Sequence, residues 1–96
     1  MLVTLASVGR TLNFTRSARE LGLTQSAVSK QIRQLEGHLG VGLFERKPRG
    51  VVLTSAGSEL FVCAVHTLEL IHQGMIRARH GGFEDASVLR SDEAQL

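Results

Sequence analysis

The sequence is poor in cysteine and has no long apolar run. Its only cysteine is Cys63, so no disulfide can form within the chain, and a reducing compartment, the cytoplasm, is the expected location. No run of about eighteen apolar residues is present, although a membrane-spanning helix would need one. No charged stretch followed by an apolar one opens the chain, so we expect neither a membrane span nor a secretory signal.

Groups for catalysis and metal binding are also scarce. The sequence suggests no arrangement of serine, histidine and acid, and it has no glycine-rich phosphate loop. Cys63 and His66 lie close together, but His72 follows about 240° further around a helix, so one helix cannot bring all three to the same metal ion. We therefore expect no enzyme, no cofactor and no metal site.

The charge of the chain is unevenly distributed. Its 96 residues allow one small domain and carry a formal net charge of +2. Residues 1–50 hold eight Lys and Arg against three Glu, which gives +5, whereas residues 51–96 hold three Arg against six acids, which gives −3. A basic surface in the first half would neutralise phosphates and release their counterions, which is the source of sequence-independent affinity for DNA.

The segment from Leu23 to Leu39 has the spacing of an amphipathic helix, and Thr24 is a suitable N-cap for it. Apolar residues recur at intervals of four, three and four and are predicted to form the buried face: Val28, Ile32, Leu35 and Leu39. The outer face carries an amide, two hydroxyls and two cations, which are groups that bind base edges and phosphates: Gln25, Ser26, Ser29, Lys30 and Arg33.

Two further helices are predicted before this one. Met1 to about Arg10 has helical apolar spacing, and Thr15 to Leu21 forms a short helix that ends at Gly22. A turn of only about three residues then separates the second and third helices, which is the spacing of a helix-turn-helix with the third helix as the recognition helix. The alternative is an ordinary amphipathic helix whose polar face is only solvated.

A β-hairpin is predicted after Gly40. Two extended runs, Leu43–Arg46 and Val51–Leu53, flank residues 47–50, where proline at the second position and glycine at the fourth suit a type I turn. Three of the four residues 46–49 are cations, which favours a wing placed beside the DNA backbone or in a minor groove. The alternative is a surface hairpin whose charges only promote solubility.

A long helix is predicted from Thr54, a plausible N-cap, to about Ala78. Starting at Gly57, apolar residues follow a heptad pattern of about three repeats, which predicts a dimer interface made by Phe61, Ala64, Leu68, Ile71 and Met75. The alternative is a single core helix without a partner. Gly81–Gly82 is predicted to end the helix, and the polar residues 81–96 are predicted to be a disordered tail.

Many short segments occur in the order and spacing of one protein family. They are Asn13–Ala18, Leu21, Leu23–Ser29, Ile32, Leu35–Glu36, Leu39–Gly40, Leu43–Arg46, Arg49–Gly50 and Leu53–Gly57. From about Leu2 to Ala78 the chain closely resembles the N-terminal domain of LysR-type transcriptional regulators. The resemblance implies binding to double-stranded DNA and a linker helix that pairs two domains. It also implies a larger effector-binding domain, of which we expect no part, and hence no small-molecule effector site, in these 96 residues.

Two residues depart from the family pattern. Leu12 stands where a glycine is common, and its side chain would strain the turn if the turn needs a positive φ. Ser17 stands in the short second helix where an alanine is expected. Both departures concern stability more than function.

The sequence thus predicts a mainly α-helical winged helix-turn-helix protein with a β-hairpin wing and a long C-terminal linker helix that forms a homodimer. The predicted divisions are residues 1–53, 54–80 and 81–96. Gln25 is expected to pair with adenine in bidentate fashion, while Lys30 and Arg33 would read guanine or hold phosphate. The other predicted DNA contacts, mainly to the backbone, are Thr15, Arg16, Thr24, Ser26, Ser29, Lys47 and Arg49.

Two other functions stay open on the sequence alone. A winged helix that has lost its DNA role could survive as a protein-interaction module that dimerises with full-length relatives. The chain could also be a truncated gene product without regulated activity. Salt-dependent binding to duplex DNA would separate DNA recognition from protein recognition, because only the first releases counterions from a polyphosphate.

Overall fold

The computed structural model describes the backbone through Gln95 and the side chains of residues 1–80. Three helices come first, α1 (Leu2–Thr11), α2 (Phe14–Leu21) and α3 (Gln25–Leu39). An antiparallel hairpin of β1 (Phe44–Lys47) and β2 (Gly50–Leu53) follows, and the last element is α4 (Ser55–Gln95). The predicted mainly α-helical winged helix-turn-helix, with its short hairpin and long C-terminal helix, is confirmed.

Capping residues fix the starts of α2 and α3 and the turn between them. The side chain of Asn13 accepts a hydrogen bond from Arg16 N (3.0 Å), and the hydroxyl of Thr24 accepts one from Ala27 N (3.0 Å), so each helix starts at a polar cap. Gly22 ends α2 with a φ of 67°, a left-handed conformation that glycine adopts without strain. The predicted short turn and the Thr24 cap are therefore confirmed.

The core lies between the first three helices, the start of the hairpin and the start of α4. Its buried apolar residues are Leu5, Val8, Phe14, Ala18, Val28, Ile32, Leu43 and Ala64. On the predicted inner face of α3, Leu35 is half-buried and packs against this cluster. Leu39 is exposed instead, because α3 ends there and the chain turns away at Gly40 with a φ of 70°.

The two departures from the family pattern have different consequences. Leu12 caps α1 with a φ of 52°, so the turn does require a left-handed conformation, and a residue with a Cβ costs roughly 1–2 kcal/mol there. Ser17 is fully buried, yet its hydroxyl lies 2.9 Å from that of Ser7 and 2.7 Å from that of Thr11. The structure therefore satisfies the polar group that Ser17 brings into the core.

An ion pair joins α1 to α2. Arg10 Nη2 lies 2.5 Å from Glu20 Oε2, and Ser7 donates a hydrogen bond to the same oxygen at 3.2 Å. The hydrogen bond from Arg10 is the main reason that the pKa of Glu20 is lowered. The ion pair therefore contributes to stability at any pH above the ordinary glutamate pKa. This contribution is lost as the pH falls through the lowered pKa of Glu20, because protonation removes the charge that Arg10 binds.

Hydrogen bonds that Glu36 and Thr54 make with backbone groups hold the base of the hairpin. Glu36 of α3 accepts hydrogen bonds from the backbone N–H groups of Leu43 (2.7 Å) and Phe44 (3.4 Å). Thr54 N donates to Leu43 O (2.9 Å), and the Thr54 hydroxyl donates to Gly42 O (2.6 Å). The bond from Thr54 N continues the register of the hairpin by one residue, but the N–H of Leu43 bonds to Glu36 of α3 instead of to the other strand, which explains why β1 begins one residue later than the sequence predicts.

The register of the hairpin places the turn where the sequence predicts it. Phe44 pairs with Leu53 and Lys47 pairs with Gly50, so Pro48 and Arg49 form a two-residue turn. Gly50 has a φ of 142°, which a residue with a side chain rarely adopts. The tip therefore carries two exposed cations, Lys47 and Arg49, as expected for the predicted wing.

The first turns of α4 pack closely on the rest of the domain. The predicted cap is confirmed, since Thr54 Oγ1 accepts a hydrogen bond from Gly57 N at 3.0 Å. A Cβ on Gly57 would lie 2.0 Å from Leu43 O, and a Cβ on Gly9 of α1 would lie 2.3 Å from a ring carbon of Phe61. Neither position has room for a side chain, so glycine permits the close approach of α4 to the hairpin base and to α1.

The chain divides into two compact units, Met1–His66 and Thr67–Leu96. The first unit includes the start of α4, whereas the sequence predicts a boundary after residue 53. Packing at Gly57, Phe61 and Ala64 explains the difference. Ala64 is only 1% exposed and belongs to the core of its own chain, so it has almost no surface left for the predicted dimer interface.

Within the second unit, the described part of α4 is rich in exposed apolar side chains. Leu68 is half-buried, and the exposed residues are Leu70, Ile71, Met75 and Ile76. The bounds of α4 extend past Gly81–Gly82, where the sequence predicts a break. Glycine costs about 1 kcal/mol in a helix relative to alanine, which weakens a helix without forbidding it. The predicted disordered tail, residues 81–96, lies outside the residues whose side chains are described.

Replacing Gly57 with alanine tests the packing of α4. The added Cβ would meet Leu43 O, so we expect the free energy of unfolding to fall by roughly 1–3 kcal/mol, as for other overpacked sites. Gly37→Ala is the matched control, because Gly37 lies in α3 with nothing within 4 Å of its Cβ position, and alanine should stabilise that helix by about 0.5–1 kcal/mol. Urea unfolding measures both, and equal stability of the two variants would contradict the close approach.

Candidate nucleic-acid interface

The polar side of α3 is available to a ligand. Ser29 is half-buried, and the other predicted contact residues of this helix are exposed, namely Gln25, Ser26, Lys30 and Arg33. No carboxylate stands among them, and the nearest one along α3, Glu36, is bound to the base of the hairpin. The start of the helix therefore presents hydrogen-bonding groups and positive charge, while the Glu36 carboxylate further along is engaged by two backbone N–H groups.

A side-chain hydrogen bond connects the start of α3 to α2. Thr15 Oγ1 donates to Gln25 Oε1 at a distance of 3.2 Å, and both residues are exposed. An amide oxygen has two lone pairs and an amide nitrogen has two protons, so Gln25 keeps one acceptor position and both donors. This combination can still pair with an adenine edge.

Arg46 of β1 occupies a central position that the predicted contact set omits. Its guanidinium lies 4.6 Å from the centre of the Phe14 ring, and its Nη2 donates a hydrogen bond to Ser29 Oγ at 3.3 Å. Phe14 in turn makes an edge contact with Phe44, with ring centres 6.0 Å apart. Arg46 thus links the hairpin, the start of α2 and the recognition helix α3.

A signal for Arg46 exists in the sequence. Alternate residues of a strand lie on the same face, so Phe44 and Arg46 must share a face of the hairpin. Phe44 is the apolar member that packs on the core, so the cation two residues later is directed toward the domain. Lys47, on the other face, makes only an exposed ion pair with Glu45, at 3.6 Å.

Two open clefts border this surface. The first, of about 340 Å³, brings Thr15 and Gln25 together with Lys47, Arg49 and Arg46. The second, of about 400 Å³, brings Ser29 and Arg33 together with Arg46 and Phe14. Arg46 borders both clefts, so a ligand in either one would meet its positive charge.

Four predicted contact residues lie outside the two clefts. They are Arg16, Thr24, Ser26 and Lys30, all of them exposed. Thr24 already serves as the N-cap of α3 through its side-chain oxygen. The clefts thus unite six of the ten predicted contacts, and the remaining four line neither cleft.

The described part of the chain has few features of other kinds of site. Among those residues, no group of three or more His, Cys, Asp or Glu side chains is arranged to hold a metal ion. No helix there is long and apolar enough to cross a membrane. Cys63 is a free, exposed thiol beside an apolar cleft of about 320 Å³ that includes Leu39, Val41 and Leu60.

Comparisons with known sequences identify relatives of the chain. The sequence model described as "Bacterial regulatory helix-turn-helix protein, lysR family" matches residues 1–58. A carbapenem-hydrolyzing beta-lactamase transcriptional activator of Enterobacter cloacae is 41% identical over 76 residues, which cover 79% of this chain and 26% of that protein. The HTH-type transcriptional activator AmpR of Pseudomonas aeruginosa is 45% identical over 73 residues, which cover 76% and 24%. The chain spans about a quarter of the length of these relatives.

Solved structures share the fold. The BenM_DBD/catB site 1 DNA complex matches with a TM-score of 0.79 and 30% identity, over 82% of this chain and 88% of that one. The CbnR_DBD-DNA complex matches with a TM-score of 0.76 and 33% identity, over 85% and 94%. Together with the sequence model that covers residues 1–58, these matches show that the chain belongs to the lysR family of bacterial regulatory helix-turn-helix proteins.

Proposed function

We propose that this chain binds double-stranded DNA in a sequence-specific manner and regulates transcription in the bacterial cytoplasm. The observation that carries the proposal is the cleft in which Gln25 of the recognition helix lies beside the cations of the wing. A group that can read a base edge and groups that can neutralise phosphates thereby face the same space. The DNA complexes of similar solved structures and the regulators among the relatives support the same function.

Different residues would perform the two parts of recognition. Gln25 is the proposed base contact, through one N–H and the free lone pair of its amide oxygen, which match the N7 and N6 positions of adenine. Lys30 and Arg33 would read guanine or hold phosphate. Backbone contacts are assigned to hydroxyls and cations around them, Arg16, Thr24, Ser26, Ser29, Lys47 and Arg49.

Arg46 would join the backbone contacts. One face of its guanidinium lies on Phe14 and one N–H is bonded to Ser29, which leaves further donors for a phosphate. Because Phe14 and Ser29 already hold it, little side-chain entropy is lost when it binds. We assign Arg46 to a phosphate that lies between the recognition helix and the wing.

A homodimer formed through α4 is part of the proposal. Among the described residues of the second unit, Leu70 is 65% exposed and Ile71, Met75 and Ile76 are also exposed. Apolar side chains grouped on one helix are covered when a second chain packs on them. A dimer would place two recognition helices on two half-sites of an inverted repeat. Leu68, Ile71 and Met75 are the proposed contacts, while Phe61 and Ala64 mainly serve their own chain.

The first prediction separates base reading from backbone binding. Gln25→Ala should reduce the preference for specific over non-specific DNA by about 1–3 kcal/mol, because it removes a bidentate base contact. Arg49→Ala should weaken binding to all sequences alike and lower the salt slope by about one counterion. Binding-site selection combined with salt titration measures both effects. The assignment fails if the two variants lose the same discrimination.

A second prediction concerns the geometry of Arg46. Arg46→Met should weaken binding to all duplexes and reduce the salt slope by about one counterion, since a positive charge is lost. Arg46→Lys keeps the charge, so the salt slope should stay near that of the unaltered chain, while affinity still falls because the planar, stacked fork is gone. Salt titration of binding distinguishes the two variants. Full affinity in Arg46→Lys would show that only the charge matters.

A third prediction tests the dimer. Leu68→Glu would place a carboxylate from each chain in an apolar interface, so the dimer should dissociate and each monomer should hold one half-site with lower affinity. Gln73→Glu adds the same charge at an exposed position outside the heptad pattern and should leave the dimer intact. Analytical ultracentrifugation measures both, and a dimeric Leu68→Glu variant would place the interface elsewhere.

A further inference from the structure

We infer that Thr15 is a positioning residue that holds the Gln25 amide for base recognition, instead of a contact to the DNA backbone. This inference rests on the proposed function. Its basis is the hydrogen bond between Thr15 Oγ1 and Gln25 Oε1, at 3.2 Å, between two exposed side chains on different helices. Such a bond in the free protein fixes the amide before any DNA is present.

The direction of this hydrogen bond follows from the chemistry of the two atoms. An amide oxygen carries no proton, so the Thr15 hydroxyl must be the donor. A threonine hydroxyl has one proton and can donate one hydrogen bond, which Gln25 accepts here. Phosphate oxygens in DNA only accept hydrogen bonds, so Thr15 cannot bind a phosphate while it holds Gln25. In the structure, the single hydrogen bond that the Thr15 hydroxyl can donate therefore goes to the Gln25 amide.

The bond has two consequences for Gln25. A free glutamine side chain has several rotatable bonds, so ordering it on DNA costs conformational entropy. The hydrogen bond from Thr15 orders the side chain beforehand and so lowers the entropy cost of binding. Donation to the amide oxygen also polarises the amide, which strengthens its N–H groups as donors. Both effects act only on the base that Gln25 contacts. Thr15 should therefore affect the preference at one base position and leave affinity for unrelated DNA unchanged.

The surroundings of the pair support this role. Thr15 and Gln25 border the same cleft as Lys47 and Arg49, so phosphate-binding cations are already present there. Neither cation is hydrogen-bonded to Gln25 in the described structure, where Thr15 is its side-chain partner. The helix caps at Asn13 and Thr24 fix the ends of α2 and α3 that carry the two residues. Their separation is thus set by the helix-turn-helix itself.

The test uses the 96-residue chain and the DNA site that it selects from random sequence. Gln25→Ala first identifies the base position whose preference depends on Gln25. At that position Thr15→Val should lower the preference about two- to tenfold, the range expected for one hydrogen bond, while affinity for non-specific duplex stays the same. Thr15→Ser keeps the hydroxyl and should restore the preference. Thermal unfolding of each variant checks that the fold is intact.

A double variant gives the decisive comparison. Thr15→Val should have no further effect on base preference in a Gln25→Ala background, because it acts only through that amide. Additive losses in the double variant, or an equal loss of affinity for all sequences in Thr15→Val, would overturn the inference and make Thr15 a direct backbone contact. If the unaltered chain selects no sequence at all, the proposed function itself is wrong, and this inference falls with it.

Discussion

The position of the wing depends on the Glu36 carboxylate. It accepts hydrogen bonds from the backbone N–H groups of Leu43 and Phe44, so it joins the last turns of α3 to the first residues of the hairpin. Leu43 is fully buried, and removal of the carboxylate would leave a buried donor unsatisfied at a cost of about 1–3 kcal/mol. Thr54 N donates a hydrogen bond to the carbonyl of the same residue, and Gly57 leaves room for that carbonyl against α4. Leu43 is therefore the point at which α3, the hairpin and α4 meet.

From this fixed base the hairpin carries two kinds of cation. Phe44 packs against Phe14, and Arg46, on the same face of the strand, is held by the Phe14 ring and Ser29. Lys47 and Arg49 are near or in the turn and are exposed. Arg46 is thus ordered before a ligand arrives, whereas the cations at the tip can adjust to it. When a polyphosphate binds, Arg46 would therefore fix the position of a phosphate, whereas Lys47 and Arg49 would mainly supply positive charge.

Local signals explain how much of the fold the sequence predicts. The helix limits follow from apolar spacing, from side chains that can cap a helix, such as Thr24, and from glycines that can adopt a positive φ, such as Gly22. The hairpin turn follows from Pro48 and Gly50 in the same way. The strand starts one residue later than predicted because the N–H of Leu43 bonds to the Glu36 carboxylate of another element. Such contacts leave no mark in local spacing.

The sequence predicts the site less completely than the fold, for the same reason. Residue type and helical periodicity place Gln25, Lys30 and Arg33 on the outer side of α3, and the structure exposes them all. The sequence prediction omits Arg46: strand alternation places it on the same face as Phe44, but its contacts with Phe14 and Ser29 form only in the folded domain. The bond between Thr15 and Gln25 likewise depends on the angle between two helices, which composition and spacing do not specify.

The heptad spacing of α4 illustrates a further limit. Apolar periodicity indicates that a helix face is buried, but it does not say whether the same chain or a second chain covers it. In the first unit the domain itself covers Ala64, and Phe61 packs on Gly9. In the described part of the second unit, Ile71 and Met75 are exposed. One sequence pattern therefore serves two purposes, and only the exposed part has surface available for a partner.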